Sequence, residues 1–438
     1  MTKILVRILV QRSTDYRSPL WRTPCLAVLC SASSRGRACS PRACRRAARR
    51  SRPRPRRRLR RGGGAAAGGA ADGGARRGGG WGAGGGGAPP APATPTPAAA
   101  GPGGRFGAEW ESHARTYMSW PAQAAIWGNY LGDVRKDIAG LAREIAEYEY
   151  VVMLARAGQV KDAQKQCGSG VEVIALEVDD LWARDTVPVF VEQAGQAVGV
   201  DLHFNGWGDK QPHPNDGPLG RNLLSRYHIP SYSAPFVAEG GALETDGQGT
   251  LLVTESSIVN DNRNPGKSRD QLEAELKQTL GIEKVIWFEG VRGEDITDAH
   301  VDCLVRYIAP GVVLLDKPFP GAPADSWSRS SDQARRVLAE ATDARGRKLE
   351  VIDLPQPDPD RITGEGEEFV SSYANFYIAN GAVFLPEFGD RAADDRAQGI
   401  LRDHLPGRDV VAVPIDEIAA GGGGIHCSTH DQPGKPEH

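Results

Sequence analysis

The chain has 438 residues and a formal net charge of −2, enough length for one large domain or two to three average ones. The near-neutrality hides two unlike parts: residues 1–105 carry 22 Lys/Arg against only Asp15 and Asp72, which leaves about −22 on residues 106–438. An acidic body argues against a nucleic-acid-binding core and suits a small cationic substrate.

Residues 1–107 run from Arg-rich to Gly/Ala-rich (Gly62 to Gly87) to Pro/Ala-rich (Pro89 to Pro102). Little there can bury a core, so the composition predicts a disordered extension. Its Arg run, Arg45 to Arg61, is a binder of nucleic acid or acidic surfaces, a solvated tail, or the product of a wrongly assigned start or reading frame. The apolar patch Pro24–Ser33 resembles a signal peptide only weakly, and no stretch is long enough for a transmembrane helix. A cytoplasmic protein is expected.

The text changes near Ala108. Val134, Ile138, Leu141 and Ile145 recur at helical spacing, and Val151–Ala155 and Val171–Leu176 read as strands. Val187–Val191 and Val198–Leu202 flank a Gly turn as a hairpin. Gly249–Thr254 reads as a strand, the helix carrying Leu272, Leu276 and Leu280 stops at Gly281, and Val285–Phe288 follows as a strand. Phe376–Leu385 is a hairpin around Asn380-Gly381, a helix spans Arg391–Leu401, and Val410–Val413 is a strand. Short strands and helices alternate without a second linker, so residues 108–438 form one α/β domain.

Four segments carry candidate chemistry. Gly421–Gly424 run straight into Ile425-His426-Cys427, which a linker has no reason to do. The body holds only two other cysteines, Cys167 and Cys303, with no CxxC pair, so its thiols read as reduced; Cys303 reads as a packed core thiol. In Asp295–Asp302, alternation on a strand would put Asp298, His300 and Asp302 on one face as acid–base groups, with metal ligation as the alternative. In Asp179–Asp185, Trp182 suits stacking on a planar cation that Asp185 hydrogen-bonds; the alternative is that Arg184 simply pairs with a neighbouring acid on a surface loop. Glu239 precedes Gly240-Gly241, either an ordinary turn or a carboxylate brought close to a ligand. Two carboxylates that grip a guanidinium ion, a histidine and a thiol are what attack on that poor electrophile requires.

These motifs resemble the agmatine deiminases and the related bacterial-type peptidylarginine deiminases. The likeness runs from Glu109-Trp110 and Met118–Pro121 through Asp179–Asp185, Phe204–Gly208, Glu239–Gly241, Asn262–Pro265, Thr297–Asp302, Ser372–Phe376 and Gly422–Cys427 to Pro433. It implies a five-fold pseudo-symmetric α/β propeller, a pentein. It also implies hydrolysis of agmatine to N-carbamoylputrescine and ammonia on the way to putrescine, without metal or organic cofactor, by a homo-oligomer. Matched motif to motif, Cys427 is the nucleophile, His300 the general acid and base, and Glu239 its orienting carboxylate. Asp185 and Asp302 hold the guanidinium, and Trp182 lines the pocket. Ala299 stands where the family often has Gly, and Thr186-Val187-Pro188 replaces a commoner Thr-Gly-Pro; both bear on pocket shape. Peptidyl-arginine or free arginine would use the same grip, an amidinotransferase the same covalent intermediate, and a binder acting through the Arg-rich tail neither.

Overall fold

The computed structural model describes residues 103–366 and 368–437, so the expectations for residues 1–102 lie outside the described residues. Arg105 and Phe106, expected within the extension, form the short strand β1, which pairs antiparallel with Val191 and Glu192. In chain order follow β2 (His113–Ser119), β3 (Val151–Ala155), β4 (Val171–Ala175), β5 (Val189–Gln193), β6 (Gln196–Asp201), β7 (Ser231–Ser233), β8 (Glu244–Thr245), β9 (Thr250–Thr254) and β10 (Lys284–Phe288). The remainder are β11 (Val305–Ala309), β12 (Val312–Lys317), β13 (Glu350–Pro355), β14 (Tyr377–Ala379), β15 (Ala382–Glu387), β16 (Asp409–Pro414) and β17 (His430–Pro433).

These strands form five separate sheets on one plan. An antiparallel pair is followed by a helix and then by a strand parallel to the pair's second member: β5-β6 then β7, β8-β9 then β10, β11-β12 then β13, and β14-β15 then β16. The fifth sheet joins the two ends of the described chain, with β17 antiparallel to β2 and β3 parallel to β2. A hairpin needs only a tight turn, whereas a parallel neighbour needs a crossover of a dozen or more residues, so each module costs one helix. The crossover helices are Leu131–Ala146, Leu219–Tyr227, Arg269–Leu280, Ser326–Glu340 and Arg391–His404. The α/β propeller expected from the resemblance accounts for this five-part repeat.

Local chemistry explains the elements. Val134, Ile138, Leu141 and Ile145 are all buried on the first crossover helix, worth roughly 6–12 kcal/mol of gross apolar burial. Ser268 and Gln271 form a capping box at the start of the third, and Gly281 stops it at φ 67°. The β5-β6 turn uses Ala194 at φ 50° before Gly195, a left-handed place that suits Asn better.

Candidate active site

The repeat explains why residues far apart in sequence meet. Asp185, Glu239, Asp302, Asn375 and Cys427 each lie a few residues before the first strand of a module, ahead of β5, β8, β11, β14 and β17 respectively. Equivalent ends of five similar modules converge, and so do the side chains they carry.

Cys427 is held from several directions. Its amide donates to Asn375 Oδ1 at 3.2 Å, its carbonyl accepts from the Arg184 amide at 3.1 Å, and Asn375 Nδ2 donates to its Sγ at 3.2 Å. The glycine run permits this closeness. A Cβ on Gly424 would lie 2.6 Å from Asn375 Oδ1, and one on Gly423 would lie 2.4 Å from the Trp182 ring. Trp182 is itself backed by Trp127, with ring centroids 6.1 Å apart.

Asp185, His300 and Asp302 converge over Gly241. A Cβ there would stand 2.7 Å from His300 Nδ1 and 3.0 Å from both Asp185 Oδ1 and Asp302 Oδ2. His300 Nε2 lies 3.2 Å from Glu239 Oε2, and Glu239 accepts from Arg263 Nε at 2.7 and 3.0 Å. Asp185 accepts from Trp207 Nε1 at 2.8 Å and from the Gly241 amide at 3.0 Å. Asp302 Oδ2 is 2.8 Å from His426 Nδ1 and 3.6 Å from Cys427 Sγ. His426 Nε2 continues to Glu109 Oε2 at 2.8 Å, and Glu109 also binds Arg306 and Arg184. Among the described residues, His300 Nδ1 and Asp302 Oδ1 are buried with no hydrogen-bond partner, the two polar atoms left over at the convergence.

The electrostatics divide the roles. Burial disfavours the His300 imidazolium, but Asp185, Glu239 and Asp302 outweigh it and raise its pKa to about 9. Burial likewise opposes ionisation of Asp302, yet His426, His300 and Arg306 hold it down at about 2. The neighbouring Cys303 thiol lowers the Cys427 pKa, but burial and the carboxylates of Asp302 and Asp185 prevail and raise it. The resting site thus holds a protonated thiol beside carboxylates.

Four sequence expectations need correction. Asp295–Asp302 is not a strand: Asp298 and Ala299 turn through φ 61° and 64°, and a 3-10 turn, Val301–Cys303, follows. His300 and Asp302 still reach the centre, but Asp298 is drawn away to Lys210, Arg263 and Asn262. Ala299 thus occupies a left-handed position that glycine would take without strain. Arg184 is not a surface pair but a buried link between Glu109 and Asp431. Cys303 is not a core thiol; it is partly exposed, shares Asn375 Nδ2 at 3.2 Å, and its sulfur, the Cys427 sulfur and an Asp302 oxygen all lie within 4.8 Å of one another. Sequence reasoning also assigned no role to Asn375, His426, Arg263, Trp207 or Glu109, although each lies inside a motif that carried the resemblance.

The profile of the Porphyromonas-type peptidyl-arginine deiminases matches residues 105–433, nearly all of the described chain. The chain belongs to this family. Similar members are a putative agmatine deiminase of Mycoplasma capricolum, 38% identical over 346 residues (74% of this chain, 94% of the relative), and an agmatine deiminase of Pseudomonas aeruginosa, 37% identical over 363 residues (76% and 96%). Among solved structures, the agmatine deiminase of Enterococcus faecalis matches with a TM-score of 0.71 at 29% identity, covering 77% of this chain and 99% of that one. This member of the peptidyl-arginine deiminase family has, among its described residues, no helix long and apolar enough to cross a membrane.

Proposed function

We propose that the protein hydrolyses agmatine to N-carbamoylputrescine and ammonia through a covalent cysteine intermediate, a step toward putrescine. The observation that carries the guanidine chemistry is the convergence of Asp185, His300 and Asp302 over Gly241, with the Cys427 thiol 3.6 Å from Asp302. Agmatine as the substrate rests on the relatives, which bear that enzyme's name and which the chain matches over 94% and 96% of their length.

In this reading Asp185 and Asp302 accept hydrogen bonds from the guanidinium N–H groups and fix its plane. Trp182 lines the pocket. The bound cation drives the Cys427 thiol proton to solvent, and the thiolate adds to the guanidinium carbon. His300, protonated at neutral pH, gives its proton to a departing NH2 group; the C–N bond breaks, ammonia leaves and an amidino-thioether cation remains on sulfur. Neutral His300 then takes a proton from water as the hydroxide adds to that carbon. The C–S bond breaks as the new hydroxyl loses its proton to solvent, which releases the ureido product and the thiolate. Glu239, tied to Arg263, keeps the imidazole oriented through both proton transfers. The reading extends to a homo-oligomer in a reducing compartment such as the cytoplasm, in keeping with the free thiols of Cys167, Cys303 and Cys427.

A panel of agmatine, free arginine, a peptidyl-arginine and guanidine with an added amine acceptor, assayed for ureido product and ammonia, tests this. Agmatine is expected to have the highest kcat/KM. Faster turnover of either arginine form rejects the substrate, and amidine transfer to the amine rejects hydrolysis.

A further inference from the structure

We propose that Asp302, Cys303 and Cys427 form a binding site for a soft divalent cation such as Zn2+, which would occupy the guanidinium position and inhibit the enzyme. Their ligand atoms lie within 4.8 Å of one another. Two sulfurs on a tetrahedral zinc ion stand roughly 3.8 Å apart, given Zn–S bonds of about 2.3 Å, so small side-chain rotations close the set. Two thiolates with one carboxylate favour zinc or cadmium over magnesium or calcium.

The surroundings fit a ligating role. His426 Nδ1 fixes Asp302 Oδ2 at 2.8 Å, the outer hydrogen bond that orients a carboxylate ligand, while Oδ1 is buried without a partner among the described residues. Asn375 Nδ2 touches both sulfurs at 3.2 Å and holds them side by side. Both cysteines are free thiols. As the ion enters, two S–metal bonds form and two protons pass to solvent, with no change of oxidation state. This site depends on the donor set alone and not on which guanidine is the substrate.

The test is a Cd2+ titration of the reduced full-length chain, followed by sulfur-to-cadmium charge-transfer absorption. Cys25, Cys30, Cys39 and Cys44 are replaced by Ser so that only the body's thiols report. One equivalent is expected to give a saturating two-thiolate band, and agmatine is expected to compete with it. Cys303→Ser should halve the band and weaken binding by at least about 10–100-fold, with the same shift in the Zn2+ concentration that halves each variant's own turnover. Cys303→Ala, checked by circular dichroism, should behave alike. A band unchanged by loss of Cys303, one that follows Cys167, or no saturating band at one equivalent overturns the site. Because the readout is optical, a two-thiolate band in a protein inert to every guanidine would keep the site and reject the proposed function instead.

Discussion

Adding one methyl group to Gly423 tests whether the glycine run is there for the site. In Gly423→Ala the new Cβ would fall 2.4 Å from Cζ3 and 2.9 Å from Cη2 of Trp182, and 3.2 Å from the Cβ of Cys427. Relaxed carbon contacts begin near about 3.5 Å, so the overlap with the indole is roughly 1 Å. Trp127 packs against that indole, so relief has to come from motion of the two tryptophans or of the Cys427 backbone. Overpacking of this kind costs about 1–3 kcal/mol, and a displacement near 1 Å at a reacting group lowers rate about 100-fold. Gly421→Ala is the matched control. Its Cβ would meet the Trp127 ring at 2.2 Å, an equal clash two residues further from Cys427. Urea unfolding should show similar losses for both variants, whereas ammonia release should give a kcat/KM near 1% of wild type for Gly423→Ala and a clearly higher value for Gly421→Ala. Equal activity losses, or a Gly423→Ala enzyme within twofold of wild type, would refute the argument that the glycines bring Trp182 and Cys427 together.

Other predictions follow from the same contacts. Cys427→Ala should abolish ammonia release while near-UV circular dichroism stays native; residual turnover above the uncatalysed rate removes the covalent mechanism. Arg263→Met leaves Glu239 and Asp298 buried without their shared cation and should cost about 3–5 kcal/mol in urea unfolding, with a loss below 1 kcal/mol counting against the network. His300 has a pKa raised to about 9 against about 6.5 when unfolded, so its stabilising effect is full below pH 6.5 and fades as pH rises through 9. The stability gap between wild type and His300→Asn should therefore shrink from pH 6 to pH 9.5, and a gap that widens contradicts the carboxylate cage. Gly399, inside the helix Arg391–His404 with nothing within 4 Å of a Cβ, should accept Ala with a gain of about 1 kcal/mol.

The strand and helix pattern was legible where apolar residues ran together or recurred at helical spacing. Val151–Ala155 is the β3 strand residue for residue, and the Asn380-Gly381 hairpin lies where its turn signature put it. The Asp295–Asp302 segment misled because alternating polar residues look like a strand with a working face, whereas the chain there makes two left-handed residues held by Thr254 and Ser256 hydroxyls. The thiol, histidine and carboxylates proposed for the site could be singled out because guanidinium chemistry limits the residue types that serve it. Asn375 and His426 could not, since an amide that clamps a cysteine and an imidazole that orients a carboxylate leave no mark in spacing. Cys303 was misjudged for the same reason: its neighbour lies 124 positions away and only the repeat of modules brings them together.

The closing sheet also has a consequence for when the protein becomes an enzyme. Cys427 lies three residues before β17, and β17 pairs with β2 across more than three hundred residues, from His430 to Tyr117 and from Asp431 to Thr116. Contacts of such sequence separation form late, because the loop they close must first lose its freedom. Four modules can acquire their hairpins and crossover helices from local sequence as the chain leaves the ribosome, but the thiol reaches the acids only when the last strand docks on the first sheet. Activity is therefore expected to need β17 docked on β2, since a β17 that came away would take Cys427 from the acids.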